Sequence, residues 1–202
     1  MSDFPRAAPS HCLSGQLRTL LGISVQRTSC VFRWQQHYWL TALLDVQPGD
    51  RILVLGCGSG LELSLCLAYG ASRVVGFDPW LVKLAIAYRR NRAACLLGRL
   101  SLRHGALEAL SGGIEPVNKV LCINTVEDVE NRIGILRRLS DVIAAGGRII
   151  IATDAQASLG GATALGEDTR LDMIGAGWTG TRVEALPRRR GSLVCTIGHR
   201  RR

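Results

Sequence analysis

Aromatic side chains are scarce in this 202-residue chain, at 5%, and lysine is nearly absent, with Lys83 and Lys119 alone. Leu, Ile, Val and Ala must therefore supply most of the core from the 47% of hydrophobic residues. No apolar run reaches the roughly 18 residues that a spanning helix needs, so no membrane partner is expected. The first dozen residues, MSDFPRAAPSHC, lack the apolar centre of a secretory signal, and a cytoplasmic protein is expected. Seven cysteines occur singly, with no C-x-x-C pair. Their odd number favours buried thiols over disulfides, and no metal site is expected.

What is abundant is arginine. The formal net charge is +9, and two basic concentrations stand out. Arg89, Arg90, Arg92, Arg99 and Arg103 fall in a stretch without acids, and Arg188–Arg190 with Arg200–Arg202 crowd the C-terminus. Guanidinium forks suit phosphate and carboxylate, so a nucleic-acid partner on an Arg-rich surface stays open beside a plainly solvated face.

The length fits one domain with a sizeable core. From Arg51 onward, strand and helix patterns alternate. RILVL (51–55) reads as a buried parallel strand, and RVVGF (73–77), RLSLRH (99–104), KVLCIN (119–124) and GRIIIAT (147–153) as the next four strands. Helices are expected over 61–69, 79–97, 130–144 and 167–177. The last two strands, TRVEAL (181–186) and SLVCTIGH (192–199), are separated only by PRRRG. A parallel crossover needs a dozen residues or more, so this pair must be an antiparallel hairpin. The expected fold is α/β, a seven-stranded, mostly parallel, doubly wound sheet ending in that hairpin. A helix over 27–46, with Phe32, Trp39 and Leu43 near one face, lies outside the alternation. Residues 1–47 are read as an N-terminal helical lid or buttress, and 48–202 as the core. The Ala-, Gly- and Ser-rich stretch 154–166 reads as a flexible loop.

The first strand runs into Gly56-Cys57-Gly58-Ser59-Gly60. A dinucleotide fingerprint, G-x-G-x-x-G, would need glycine where Leu61 stands, and no lysine follows as in a P-loop. Both phosphate readings fail on spacing. G-x-G-x-G still makes a tight turn that lets a ligand approach the backbone. Asp78 ends the second strand, where a carboxylate can accept both ribose hydroxyls of an adenosine.

With the terminal hairpin, these features resemble the class I S-adenosylmethionine-dependent methyltransferases. The resemblance covers roughly 48–199 and extends to CINTVEDVENRIGILRRLSDVIAAGGRIII and GAGWTGTRVEAL, which is similar to small-molecule members. It implies S-adenosyl-L-methionine as cofactor. Gly56, Cys57, Gly58 and Gly60 would cradle its amino-acid part. Asp78 would hold the ribose and Pro79 would border the adenine. Ala106 and Leu107 would lie along the cofactor, and Asn124 near the methyl sulfonium. The sequence departs from the family's pattern at Val54 and Ala106, where acids are usual, and at Asp128, where histidine is.

Methyl transfer is an in-line displacement in which the protein chiefly orients the acceptor and excludes water. Glu127 and Asp128 are the candidate catalytic bases, with His104 and His37 also near the site. Glu127 and Asp128 equally suit capping of the next helix. Cys57 is expected to pack beneath the turn. The expected activity is transfer of a methyl group to O or N of a small-molecule acceptor. Methylation of RNA or protein, or a catalytically inactive binding or scaffold role, stays open.

Overall fold

The computed structural model describes residues 27–105, 114–126, 129–155, 159–188 and 191–201. Its elements run α1 (Arg27–Leu44), β1 (Arg51–Leu55), α2 (Leu61–Ala68), β2 (Arg73–Asp78), α3 (Leu81–Arg90), α4 (Arg92–Leu96) and β3 (Leu100–His104). Then come β4 (Val117–Ile123), α5 (Arg132–Val142), β5 (Ile143–Ala155), α6 (Leu159–Gly175), β6 (Thr179–Pro187) and β7 (Ser192–His199). The strands form one sheet in the order β3-β2-β1-β4-β5-β7-β6. β1 to β5 pair in parallel, whereas β7 is antiparallel to both β5 and β6. Pro187 faces Ser192 across the closing hairpin, as the short connection requires.

Alternation along β1 divides the core. Ile52 and Val54 face one layer with Leu63 and Cys66 of α2 and Leu84 of α3. Leu53 and Leu55 face the other layer with Leu136 and Leu139 of α5 and Met173 of α6. Burying β1 on both faces explains its unbroken apolar sequence.

The long helix expected over 79–97 is instead two helices, divided at Asn91. α5 stops at Val142, and β5 begins at Ile143, earlier than the expected strand. The stretch expected as a loop before residue 167 is largely helical, since α6 starts at Leu159. Ala162 explains this: it is fully buried beside Ala155 and Val194, so its small side chain is a packing surface.

α1 ends near its expected boundary, but its buried face differs. Leu40, Thr41 and Leu44 are buried, while Trp39 and Leu43 are only partly so. The side chain of Phe32 lies outside the described residues. Cations clamp the C-terminal end of α1: Arg148 donates to the Leu43 carbonyl at 2.9 Å and Lys119 donates to the Asp45 carbonyl. Positive charge there complements the helix dipole. Lys119 and Arg148 pair with each other across β4 and β5, toward the starting edge of those strands. The preceding turns of α1 therefore rise toward the opposite edge, where the strands end.

Candidate functional site

The sheet order reverses between β1 and β4, so the connections after those strands diverge and leave a crevice at their carboxyl ends. The glycine loop occupies that point. Gly56 has φ +70°, and a Cβ there would lie 2.3 Å from the Ile123 carbonyl oxygen and 2.7 Å from Thr125 Cγ2. Gly58 has φ +52° with nothing within 4 Å of an added Cβ, so its face is open to a ligand. Gly60 does something else. A Cβ on it would meet Ala87 at 2.8 Å and Asn91 Nδ2 at 2.9 Å, so this glycine lets the loop close on α3.

Asp78 sits beside the loop, only 3% exposed. Its Oδ2 accepts the Gly58 N–H at 2.8 Å and its Oδ1 the Trp80 N–H at 2.9 Å. Each oxygen keeps a further acceptor site after these bonds. The carboxylate thus fixes the loop and retains capacity for two hydroxyls. Pro79 follows at the exposed rim, and its carbonyl pairs with His104 Nε2 at 3.0 Å. That bond holds an exposed histidine against the rim rather than aiming it into the loop.

Cys57 packs under the turn as expected, 1% exposed. Burial, together with the Asp78 and Glu62 carboxylates, pushes its thiol up to about 12, so it stays neutral and unreactive. Asn124 directly follows β4 in the left-handed region at φ 48°, which asparagine tolerates better than most residues. Its Oδ1 accepts the Asp154 N–H at 2.7 Å and its Nδ2 donates to the Asp154 carboxylate at 3.2 Å. Asn124 therefore ties the ends of β4 and β5 together. Glu127, Asp128, Ala106 and Leu107 lie outside the described residues.

Three contributions were not foreseen. Asn91, 7% exposed, donates to the carbonyls of Gly60 and Ala87, both at 3.0 Å, and accepts from Ser64 at 2.7 Å. Together with Arg90 Nε, which donates to the Ser59 carbonyl at 3.0 Å, it braces the loop from α3. Thr125 Oγ1, next to Gly56, is buried without a hydrogen-bond partner among the described residues. Glu62, in the first turn of α2, accepts from His37 Nδ1 on α1 at 2.5 Å. The pair is largely buried and pins α1 to the helix that leaves the loop. Asparagine inside a helix-length segment and an acid just after the last loop glycine were the signals available for two of these.

The chain's relatives agree with this geometry. A methyltransferase-domain family profile matches residues 53–151, from β1 into β5. Over 105 residues the chain is 34% identical to a ubiquinone biosynthesis O-methyltransferase of Azorhizobium caulinodans, covering 52% of this chain and 40% of that protein. Over 124 residues it is 31% identical to a tRNA U34 carboxymethyltransferase of Alcanivorax borkumensis, covering 60% and 37%. The chain thus spans about two fifths of the length of these curated relatives. The crystal structure of magnesium protoporphyrin IX methyltransferase from Synechocystis PCC 6803 with bound SAH superposes with a TM-score of 0.66 at 19% identity, covering 84% of each chain. By its sheet order, its glycine loop at the switch point and this family match, the chain belongs to the class I S-adenosylmethionine-dependent methyltransferases.

Proposed function

We propose that this protein binds S-adenosylmethionine and directs its methyl group to an oxygen or nitrogen of a small-molecule acceptor. The observation that carries this reading is the open face of Gly58 beside the anchored Asp78 carboxylate. The site fits the cofactor on two further counts. Gly60, the N-cap of α2, offers no side chain to the first-turn N–H groups, which leaves them for a carboxylate. The Thr125 hydroxyl, unpartnered among the described residues, adds a polar group next to Gly56.

In this reading Gly56, Cys57, Gly58 and Gly60 cradle the amino-acid part through their backbone, and Asp78 accepts the ribose hydroxyls. Pro79, with Ala106 and Leu107, borders the adenine, and Asn124 lies toward the reacting end. The cofactor supplies an electrophilic methyl on a positively charged sulfur. The protein's task is to hold the acceptor in line and dry. Glu127 and Asp128 are the candidates for taking the acceptor's proton, and α1, within the extension 1–47, walls the crevice as a lid or buttress.

Two of the relatives support different acceptors, one named for O-methylation and one for tRNA. The small acceptor is favoured here because the small-molecule resemblance runs through β4 and the helix after it. The experiment is transfer of labelled methyl to a panel of phenols, hydroxy acids, amines and bulk tRNA at low and high salt. A small acceptor should be methylated at a rate nearly independent of salt. Turnover on tRNA alone, falling steeply with salt, would assign the RNA reading instead. Cofactor binding without product on any acceptor would assign the inactive binding role, for which the buried Val54 is the structural motive.

A further inference from the structure

From Pro79 to Gly105 the chain carries no acid. Within that stretch, Lys83, Arg89, Arg90, Arg92 and Arg99 make no ion pair among the described residues. Arg90 and Arg99 donate to the carbonyls of Ser59 and Ala71, which position the guanidinium groups without neutralising them. The same stretch exposes large apolar side chains. Of the ten residues of α3 only Leu84 and Ala87 are buried. Val82 is 75% exposed and Ile86, one turn on, 45%; Leu81 and the preceding Trp80 are exposed at 65% and 64%. Beyond Asn91, Leu96 and Leu97 are exposed at 70% and 74%. Aliphatic side chains of this size normally lie inside, and such a grouping marks a contact surface.

Charge decides what covers it. A second copy docked face to face would set uncompensated cations against cations. Nucleic acid would satisfy the arginines, and Trp80 and Tyr88 offer two aromatic faces for stacking, but the other five exposed apolar side chains are branched aliphatic. An anionic bilayer takes both components. Branched side chains enter the acyl boundary, an indole favours the interface, and Lys and Arg stems reach the headgroups.

We propose that α3 and α4 form a peripheral docking surface for an anionic lipid bilayer. Length alone led to the expectation of no membrane partner, and among the described residues no helix is long and apolar enough to cross one. Surface docking needs no such length. The surface begins at the cofactor rim, because Trp80 donates its N–H to Asp78. On the methyl-transfer reading, an acceptor with a lipophilic tail would then reach the crevice from the bilayer; the docking itself does not depend on that reading.

The test is sedimentation of the full chain with phosphatidylcholine vesicles, with and without about a third phosphatidylglycerol. The wild type should pellet with the anionic vesicles only. Val82→Glu/Ile86→Glu should lower its partition at least about tenfold, the effect of withdrawing one or more aliphatic side chains from an apolar medium. Both positions are exposed, so an unchanged melting curve should accompany the loss. Arg89→Ala/Arg92→Ala, which leaves the apolar face intact, should weaken binding in a salt-dependent manner. A wild type that stays in the supernatant overturns the proposal, as does a Glu double variant that pellets equally well. So does self-association that depends on Val82 and Ile86, which would give the face to a second copy. Retention on an RNA oligonucleotide without vesicle binding would give it to nucleic acid. Cofactor titration is a separate readout, so failure of docking and failure of the methyltransferase reading are distinguishable.

Discussion

Gly58 and Gly60 stand two positions apart in one loop and answer to different forces. Gly58 opens onto the crevice, so alanine there meets no neighbour and suffers only the left-handed backbone, a cost of about 1–2 kcal/mol. Its methyl would stand where the ligand approaches. Gly60→Ala drives a methyl into Ala87 and Asn91, adding an overpacking cost of about 1–3 kcal/mol to the same backbone strain. Urea unfolding should therefore show Gly60→Ala as the less stable variant. S-adenosylmethionine titration should show Gly58→Ala with the greater loss of affinity relative to its stability loss. The opposite ranking in both measurements would mean that the roles are exchanged. At this scale the sequence was informative where chemistry is local. Glycine spacing and an acid at a strand end identify the loop and Asp78 without tertiary information. Asn91 showed only as an asparagine inside a helix-length segment, because its role depends on α3 folding back over the loop, 31 residues away in sequence.

Among elements, the contact of α1 with α2 carries the most consequence for the site. His37 and Glu62 meet across 25 residues of chain, and Thr41 Oγ1 donates to the His37 carbonyl at 2.8 Å. His37→Ala removes the partner of a buried carboxylate and should cost about 1–3 kcal/mol of stability. Glu62→Gln keeps an acceptor for the ring N–H and should cost less. A double-mutant cycle by urea unfolding should give a positive coupling energy; additive effects would show that the pair does not hold α1 in place. Strand positions were legible because β1, β2, β4 and the second half of β5 are apolar runs ended by turn residues; β3, at the sheet edge, is only partly apolar. The error at α6 has a physical reason. Ala, Gly and Ser read as flexible by composition, yet small residues are what a helix needs to lie close on β6 and β7. Gly166 shows this directly, since a Cβ there would lie 2.5 Å from Val183 Cγ1 and 2.7 Å from Val194 Cγ1.

For the whole molecule, one order of strands explains where the crevice lies and why helices cover both faces of the sheet. The terminal hairpin followed from the length of a single connection. The packing of α1 did not, because no pattern in 27–46 distinguishes a helix laid on this core from one standing apart. The acceptor is the least legible feature of all, since it is set by residues whose roles depend on what approaches the crevice. The central claim concerns the cofactor and needs no acceptor. Calorimetric titration of the full chain with S-adenosylmethionine and S-adenosylhomocysteine, with NADH as the control ligand and Asp78→Ala as the control variant, tests it directly. Both sulfur ligands should bind and NADH should not. Loss of charged hydrogen bonds in the variant should weaken affinity at least about tenfold. No binding at millimolar cofactor, or equal binding by Asp78→Ala, would contradict the assignment of the glycine loop as the cofactor site.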